Sequence, residues 1–140
     1  MTDTLSIGAT RSVADRRIGT FKRVLIVNLV VQSAVAAGFL FRTDFMLSLF
    51  GFDGSSGGAF PKIWAGTLIL ASAFQIPACL NPVHQRINIL TGLVGRAMMT
   101  AIFLSLGGAF YVFALYDGLF LVLLYLAFHR LVAAELTTRP

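Results

Sequence analysis

The sequence predicts an all-α membrane protein, a bundle of four transmembrane helices with both the N-terminus and the C-terminus in the cytoplasm. Three observations favour this fold class. Of the 140 residues, 57% are hydrophobic and only 12% are charged, about half the ~25% that is usual in soluble globular domains. Four apolar stretches approach the ~20 residues that a membrane-spanning helix needs. The basic residues also fall mainly on segments that would share one side of the bilayer.

The chain divides into a central apolar region and two polar ends. Residues 1–23 predict a basic cytoplasmic tail, and residues 129–140 predict a second, shorter one. Residues 24–128 predict the four-helix transmembrane domain, with spans at 24–41, 63–80, 87–106 and 109–128. A capping pattern at Ser12 to Asp15 indicates that the first helix begins before the membrane.

The connections between the spans differ in length and character. The longest, residues 42–62, contains an apolar run at residues 45–50 that is too short to span and is expected to lie at the membrane interface. Residues 81–86 predict a short polar turn. Gly107 and Gly108 predict a very tight turn, which makes the last two spans an antiparallel hairpin.

The distribution of Lys and Arg predicts the orientation, because cytoplasmic flanks of membrane proteins are enriched in these residues. With the N-terminus inside, the inner side carries eight of them: Arg11, Arg16, Arg17, Lys22, Arg23, Arg86, Arg130 and Arg139. The outer side carries Arg42 and Lys62. Arg16, Arg17, Lys22 and Arg23 are expected to lie at the membrane surface, where they orient the chain and can contact anionic headgroups.

Two charged residues fall inside the predicted spans, where charges are rare and either paired or functional. Arg96 precedes Gly107 by 11 residues, about 16 Å along a helix, and Asp117 follows Gly108 by 9 residues, about 13 Å. In an antiparallel hairpin both lie near mid-membrane. We therefore expect an intramembrane ion pair between Arg96 and Asp117 that faces the bundle interior.

Other polar side chains predict a cluster around this pair. Asn28 and Gln32 share one face of the first span, Gln75 lies on the second and Thr100 lies one turn from Arg96. Tyr116 is expected to point elsewhere. The cluster has two interpretations: interhelical hydrogen bonds that hold the bundle together, or a polar pocket or proton-relay site.

Aromatic residues are frequent in the outer half of the predicted bundle. Phe39, Phe103, Phe110 and Phe113 are candidates for a surface that holds a lipid or a quinone, although packing or lipid-facing phenylalanine is commoner. Trp64 begins the second span, where tryptophan commonly lies in the interfacial aromatic belt.

Catalytic and metal-binding patterns are missing from the sequence. The lone Cys79 excludes an intramolecular disulfide and a four-thiolate metal site. His84 and His129 lie at the predicted inner edge, too shallow for a bis-histidine haem. We expect no enzyme activity, no metal, no nucleic-acid partner despite the net charge of +5, and no cofactor apart from a bound lipid or quinone.

Short motifs resemble those of small bacterial four-helix membrane proteins of the DoxX-like kind. The similarity rests on four spans, the Trp64-x-Gly66 start of the second span, Gly95-Arg96 and Asp117, and covers most of residues 24–128. The resemblance implies a multi-pass protein of the bacterial inner membrane. It also implies respiratory or thiol-redox partners at the quinone pool, although the chain has no cysteine pair for thiol chemistry.

Three hypotheses for function follow from these observations. The first is a non-catalytic accessory or structural subunit, packed against other transmembrane subunits of a larger complex and against membrane lipids. The second is a binding protein for a small hydrophobic ligand such as a quinone or lipid, which would use the phenylalanine-rich half and the Arg96 cluster. The third is a small oligomeric transporter.

Overall fold

The computed structural model describes residues 3–52 and 59–138, and all regular structure within them is helical. The elements in chain order are α1 (Asp3–Phe41), α2 (Thr43–Leu49), α3 (Phe60–Leu80), α4 (Arg86–Leu106), a 3-10 turn (Gly108–Phe110) and α5 (Tyr111–Thr138). In the described part of the chain, four helices, namely α1, α3, α4 and α5, are long and apolar enough to cross a membrane. The predicted all-helical architecture with four such helices is therefore confirmed.

The helices extend beyond the predicted spans at both ends of the chain. Helix α1 begins at Asp3 rather than near Val24, so most of the predicted polar tail is the first half of a 39-residue helix. Helix α5 continues past Phe128 to Thr138. Span prediction counts apolar residues, whereas Ala, Arg and Lys favour a helix whether or not they lie in an apolar stretch. Residues 53–58 of the predicted long loop and residues 139–140 lie outside the described residues.

Glycine makes the tight turn between α4 and α5. Gly107 has φ 69° and Gly108 has φ 57°, a left-handed conformation that side chains disfavour. The chain therefore reverses at this point, and α5 packs along α4. At the other end of the bundle, Asn81 and Pro82 end α3, as expected where a proline restricts the residue before it.

The long helices form a ring that is open on one side. Helix α1 packs against both α3 and α5, and α5 packs against both α1 and α4. Helices α3 and α4 are neighbours that contact each other only sparingly. The gap between them is the main opening into the bundle.

A polar layer separates two apolar cores. The core at the end that holds both termini contains Phe21, Leu25, Ala78, Ile89, Leu93, Leu124, Ala127 and Leu131. The core at the α2 end contains Ala36, Phe39, Met46, Leu47, Ala65, Phe103, Phe113 and Ala114. The buried polar residues between them are Asn28, Gln32, Ser72 and Arg96. The fully buried polar side chains among the described residues are therefore concentrated between the two cores.

Helix α2 covers the second core with one face. Met46 and Leu47 are buried, whereas Phe45 and Leu49 on the other face are exposed. The segment expected at the membrane interface is therefore also a packed part of the bundle. Its close approach requires Gly38, because a Cβ there would lie 2.7 Å from the Met46 sulfur.

Candidate functional site

Arg96 lies at the centre of the polar layer and midway along α4. Its Nη1 donates to Oδ1 of Asp117 at 2.6 Å, and its Nη2 donates to Oε1 of Gln32 at 2.7 Å. Arg96 is only 5% exposed. Hydrogen bonds between a charged donor and an acceptor are roughly twice as strong as neutral ones. The structure thus brings together the two charged residues that the sequence placed at matching depth.

Gln32 extends this network to a fourth helix. Its Nε2 donates to the carbonyl oxygen of Leu68 on α3 at 3.3 Å, while its Oε1 accepts from Arg96. One side chain from α4 is thereby connected to α1, α3 and α5. We call Arg96, Asp117, Gln32 and the Leu68 carbonyl the central network.

Two aromatic rings of α5 complete the surroundings of the guanidinium group. The Arg96 Cζ lies 5.9 Å from the ring centroids of both Tyr116 and Phe120, within the ~6 Å at which a cation is attracted to an aromatic face. The Tyr116 hydroxyl donates to Asn28, whose Oδ1 lies 3.2 Å away and whose backbone carbonyl oxygen lies 3.3 Å away. The expectation that Tyr116 points elsewhere is wrong, because α5 packs against both α1 and α4 and so buries two adjoining faces.

The other two members of the predicted polar cluster are near the central network but not hydrogen-bonded within it. Gln75 packs beside Gly92, where an added Cβ would lie 3.3 Å from Nε2 of the amide. Thr100 packs against Gly118, and its buried Oγ1 has no hydrogen-bond partner among the described residues. Asn28 is fully buried and accepts from Tyr116 through Oδ1, while its Nδ2 has no partner among the described residues.

A cleft of about 430 Å³ occupies the gap between α3 and α4. Its walls come from these two helices, and Gln32, Arg96 and Asp117 contribute to its floor. The lining residues Thr67 and Thr91 are exposed. The cleft is therefore open at the side of the bundle and reaches inwards to the central network.

Two residues that line the cleft each carry a buried donor without an acceptor. These donors are Nε of Arg96 and Nε1 of Trp64, for which the described part of the chain supplies no hydrogen-bond partner. A buried donor without a partner costs about 1–3 kcal/mol and more when it is charged. Both nitrogens are shielded from solvent, so an oxygen in the cleft would accept from them, and remove that cost, only after a small movement of the side chains.

The phenylalanine residues proposed as a ligand-holding surface are mostly core residues. Phe39, Phe103 and Phe113 are at most 7% exposed, and Phe110 is half-buried. They surround a second cavity of about 250 Å³ near the α2 end, which we call the aromatic chamber. These rings pack against one another and against α2, so they line an internal cavity rather than an outer face, and their role in holding a lipid or quinone stays a prediction.

Trp64 packs inside this aromatic group near the start of α3, and its place in the interfacial aromatic belt stays a prediction. Its ring is edge-on to Phe39, with centroids 5.2 Å apart, and to Phe113, with centroids 5.1 Å apart. Such pairs add about 0.5–1.5 kcal/mol beyond the area they bury. Trp64 is therefore held in a defined position between the cleft and the chamber.

The basic residues at the termini end fall into two groups. Arg16, Arg17 and Arg23 are exposed. Lys22 instead donates from Nζ to the carbonyl oxygen of Leu80 at 2.8 Å, which places a positive charge at the C-terminal end of α3. Arg139 lies outside the described residues.

An ion pair that the sequence did not suggest lies at this end. Arg86, the first residue of α4, pairs with Glu135 near the end of α5. Predicting the last span to end at Phe128 concealed it, because Glu135 was then assigned to a tail.

Comparisons of the chain with protein-family models, with curated proteins and with solved structures each found no match. The resemblance to DoxX-like proteins therefore stays a prediction. The functional argument depends on the geometry of the cleft and the central network.

Proposed function

We propose that the chain is a multi-pass protein of the bacterial inner membrane with both termini in the cytoplasm. Most of the large apolar side chains on the outer faces of α3, α4 and α5 are exposed, Ile87, Leu115 and Phe74 among them. These faces need an apolar surrounding. The end of the bundle that holds both termini carries most of the basic residues, whereas Arg42 and Lys62 lie at the α2 end, which supports a cytoplasmic position for the termini.

We further propose that the cleft between α3 and α4 binds a small, uncharged amphipathic molecule, of which a quinone and a neutral lipid are examples. The observation that carries this proposal is the buried Arg96 at the floor of a 430 Å³ cleft with an unpartnered Nε. Ligand sites are typically apolar clefts of about 300–1,000 Å³ with a few convergent polar groups. An opening between two helices faces the lipid, from which such a molecule would enter.

The charges at the floor favour an uncharged head. Asp117 already occupies Nη1 of Arg96 and balances its charge. An anionic ligand would compete with this carboxylate and would lose its own hydration. A neutral carbonyl oxygen needs only a donor, which Arg96 and Trp64 would supply after a small side-chain rotation that turns an unpartnered N–H towards the cleft.

Fluorescence of the single tryptophan provides a direct test, because Trp64 lines the cleft and the chain has no other tryptophan. The purified protein in detergent micelles is titrated with a benzoquinone that carries a decyl chain, and separately with a bromine-labelled monoacylglycerol. We expect saturable quenching by at least one of the two probes. Which probe binds distinguishes a quinone from a neutral lipid as the source of the shared chemistry.

Two helical glycines supply a matched pair of variants. Gly95 lines the cleft and Gly66 does not, and an added Cβ at either position would meet nothing within 4 Å. Gly95→Leu therefore extends into the cleft without disturbing the backbone. We expect it to weaken binding about tenfold, equal to about 1.4 kcal/mol, and we expect Gly66→Leu to bind as the native protein does. Non-saturable quenching, or equal binding by both variants, would contradict the proposal.

The accessory-subunit and transporter hypotheses make different predictions. An accessory subunit purified from native membranes in mild detergent travels with larger subunits, and a transporter moves a solute when reconstituted in vesicles. A protein that runs alone as a small species and carries a stoichiometric neutral lipid or quinone, identified by mass analysis, supports the binding function instead. Recovery of bulk phospholipid only would count against it.

A further inference from the structure

The aromatic chamber adjoins the cleft. Trp64 and Met99 line both cavities. Trp64 contributes from α3 and Met99 from α4, so these two side chains form the junction between the cavities. A molecule in the cleft therefore meets the chamber at a single place.

The two cavities follow one another along α4. Arg96 and Met99 line the cleft, and Met99, Ile102 and Leu106 line the chamber. From Arg96 to Leu106 the helix rises about 15 Å. The lining changes along this path. The cleft contains a charged pair and amides, whereas the chamber has only the Trp64 Nε1 as a side-chain nitrogen or oxygen among its described lining residues.

Building on the proposed function, we propose that the ligand has an apolar chain, which passes between Trp64 and Met99 and occupies the aromatic chamber while the uncharged head stays at Arg96. The polar-to-apolar order of the lining matches a molecule with a head at one end. The class of ligand is therefore an uncharged head with an apolar chain, rather than a compact polar solute.

A comparison of two probes isolates the contribution of the ligand's apolar chain to binding. A benzoquinone without a chain and the same head with a decyl chain are each titrated while Trp64 fluorescence is followed. Ile102→Phe and Leu106→Phe both enlarge a side chain that lines the chamber, and Leu104→Phe enlarges a similarly exposed side chain of α4 that lines neither cavity. Partitioning into micelles raises the apparent affinity of the decyl probe equally for every variant, so it cancels from the comparison.

We expect Ile102→Phe and Leu106→Phe to weaken binding of the decyl probe about tenfold and to leave the chainless probe unchanged. Leu104→Phe should bind both probes as the native protein does. Circular dichroism and size-exclusion chromatography check that each variant is folded, and the chainless probe provides the same check on the cleft.

The failure of this inference and the failure of the proposed function give different results. If both chamber variants bind the decyl probe with native affinity, the chain lies elsewhere and the inference is overturned, while binding of the chainless probe still supports the cleft as the head site. If the chainless probe does not bind and Gly95→Leu has no effect on the decyl probe, the proposed function itself fails.

Discussion

Two ion pairs join α4 to α5, one at the centre of the bundle and one at the termini end. Both pair an arginine of α4 with a carboxylate of α5. The central pair, Arg96–Asp117, has side chains 6% and 15% exposed, whereas those of the end pair, Arg86–Glu135, are 38% and 17% exposed. Only the central arginine also donates to Gln32 on α1. The same two helices are therefore joined by the same type of ion pair in two different surroundings.

The comparison shows how burial changes the role of an ion pair. A buried charge that loses its partner costs about 3–5 kcal/mol, whereas a fully exposed pair contributes about 0–1 kcal/mol. The two carboxylates are almost equally buried, so the end pair differs mainly through its arginine, which is 38% exposed. Removing both charges of a buried pair is much less costly than removing one, because no unpaired charge is left. The two central residues therefore depend on each other, and we expect the end pair to contribute less because water reaches its arginine.

The largest effect is expected for Asp117→Leu, which leaves Arg96 buried without its carboxylate. We expect the free energy of unfolding to fall by about 3–5 kcal/mol, measured in bicelles by titration with a denaturing detergent. The double variant Arg96→Met with Asp117→Leu should lose less than Asp117→Leu alone. A loss in the double variant equal to the sum of the two single losses would show that the two residues act independently.

A smaller effect is expected for Gln32→Leu, which removes the acceptor of Arg96 and the link to Leu68. We expect a loss of about 1.5–3 kcal/mol, the range for hydrogen bonds to charged groups. The neighbouring Val31→Leu changes a partly exposed apolar side chain and is the control. If Gln32→Leu and Val31→Leu have the same stability, the α1 connection contributes nothing to the central network.

The smallest effect is expected for Glu135→Gln at the termini end. We expect a loss of about 0.2–1 kcal/mol at low salt that shrinks as salt screens the charges. Measuring Glu135→Gln and Asp117→Leu at two salt concentrations sharpens the comparison, since screening is weak for buried pairs. A salt-independent loss above 2 kcal/mol for Glu135→Gln, well beyond the range for exposed pairs, would remove the distinction between the two sites.

The part of the structure that depends on distance along a helix could be predicted from the sequence. The fixed rise per residue, counted outwards from Gly107 and Gly108, places Arg96 and Asp117 at the same level. The four long apolar helices followed equally from segment length. Both inferences depend only on distance along the helix axis.

The part that depends on helix rotation and separation could not be predicted. Tyr116 is adjacent to Asp117 in sequence, and whether both face inwards depends on how α5 sits between α1 and α4. The cleft exists because α3 and α4 contact each other only sparingly. No pattern of residues in the sequence predicts that separation. In hindsight, Gly92 and Gly95 are the available signal, since a helix face without side chains leaves space beside it.

The central network also has a consequence for the cooperativity of the bundle. Its members come from α1, α3, α4 and α5. A bundle of only three of these helices therefore leaves at least one polar group of the network without its partner. A bundle that loses α5 leaves an arginine unneutralised in an apolar surrounding, and one that loses α1 leaves the Leu68 carbonyl without the Gln32 donor and Arg96 without an acceptor. Detaching any one helix is thus penalised at the polar layer, which favours a single transition between the assembled bundle and separated helices over a stepwise loss of helices.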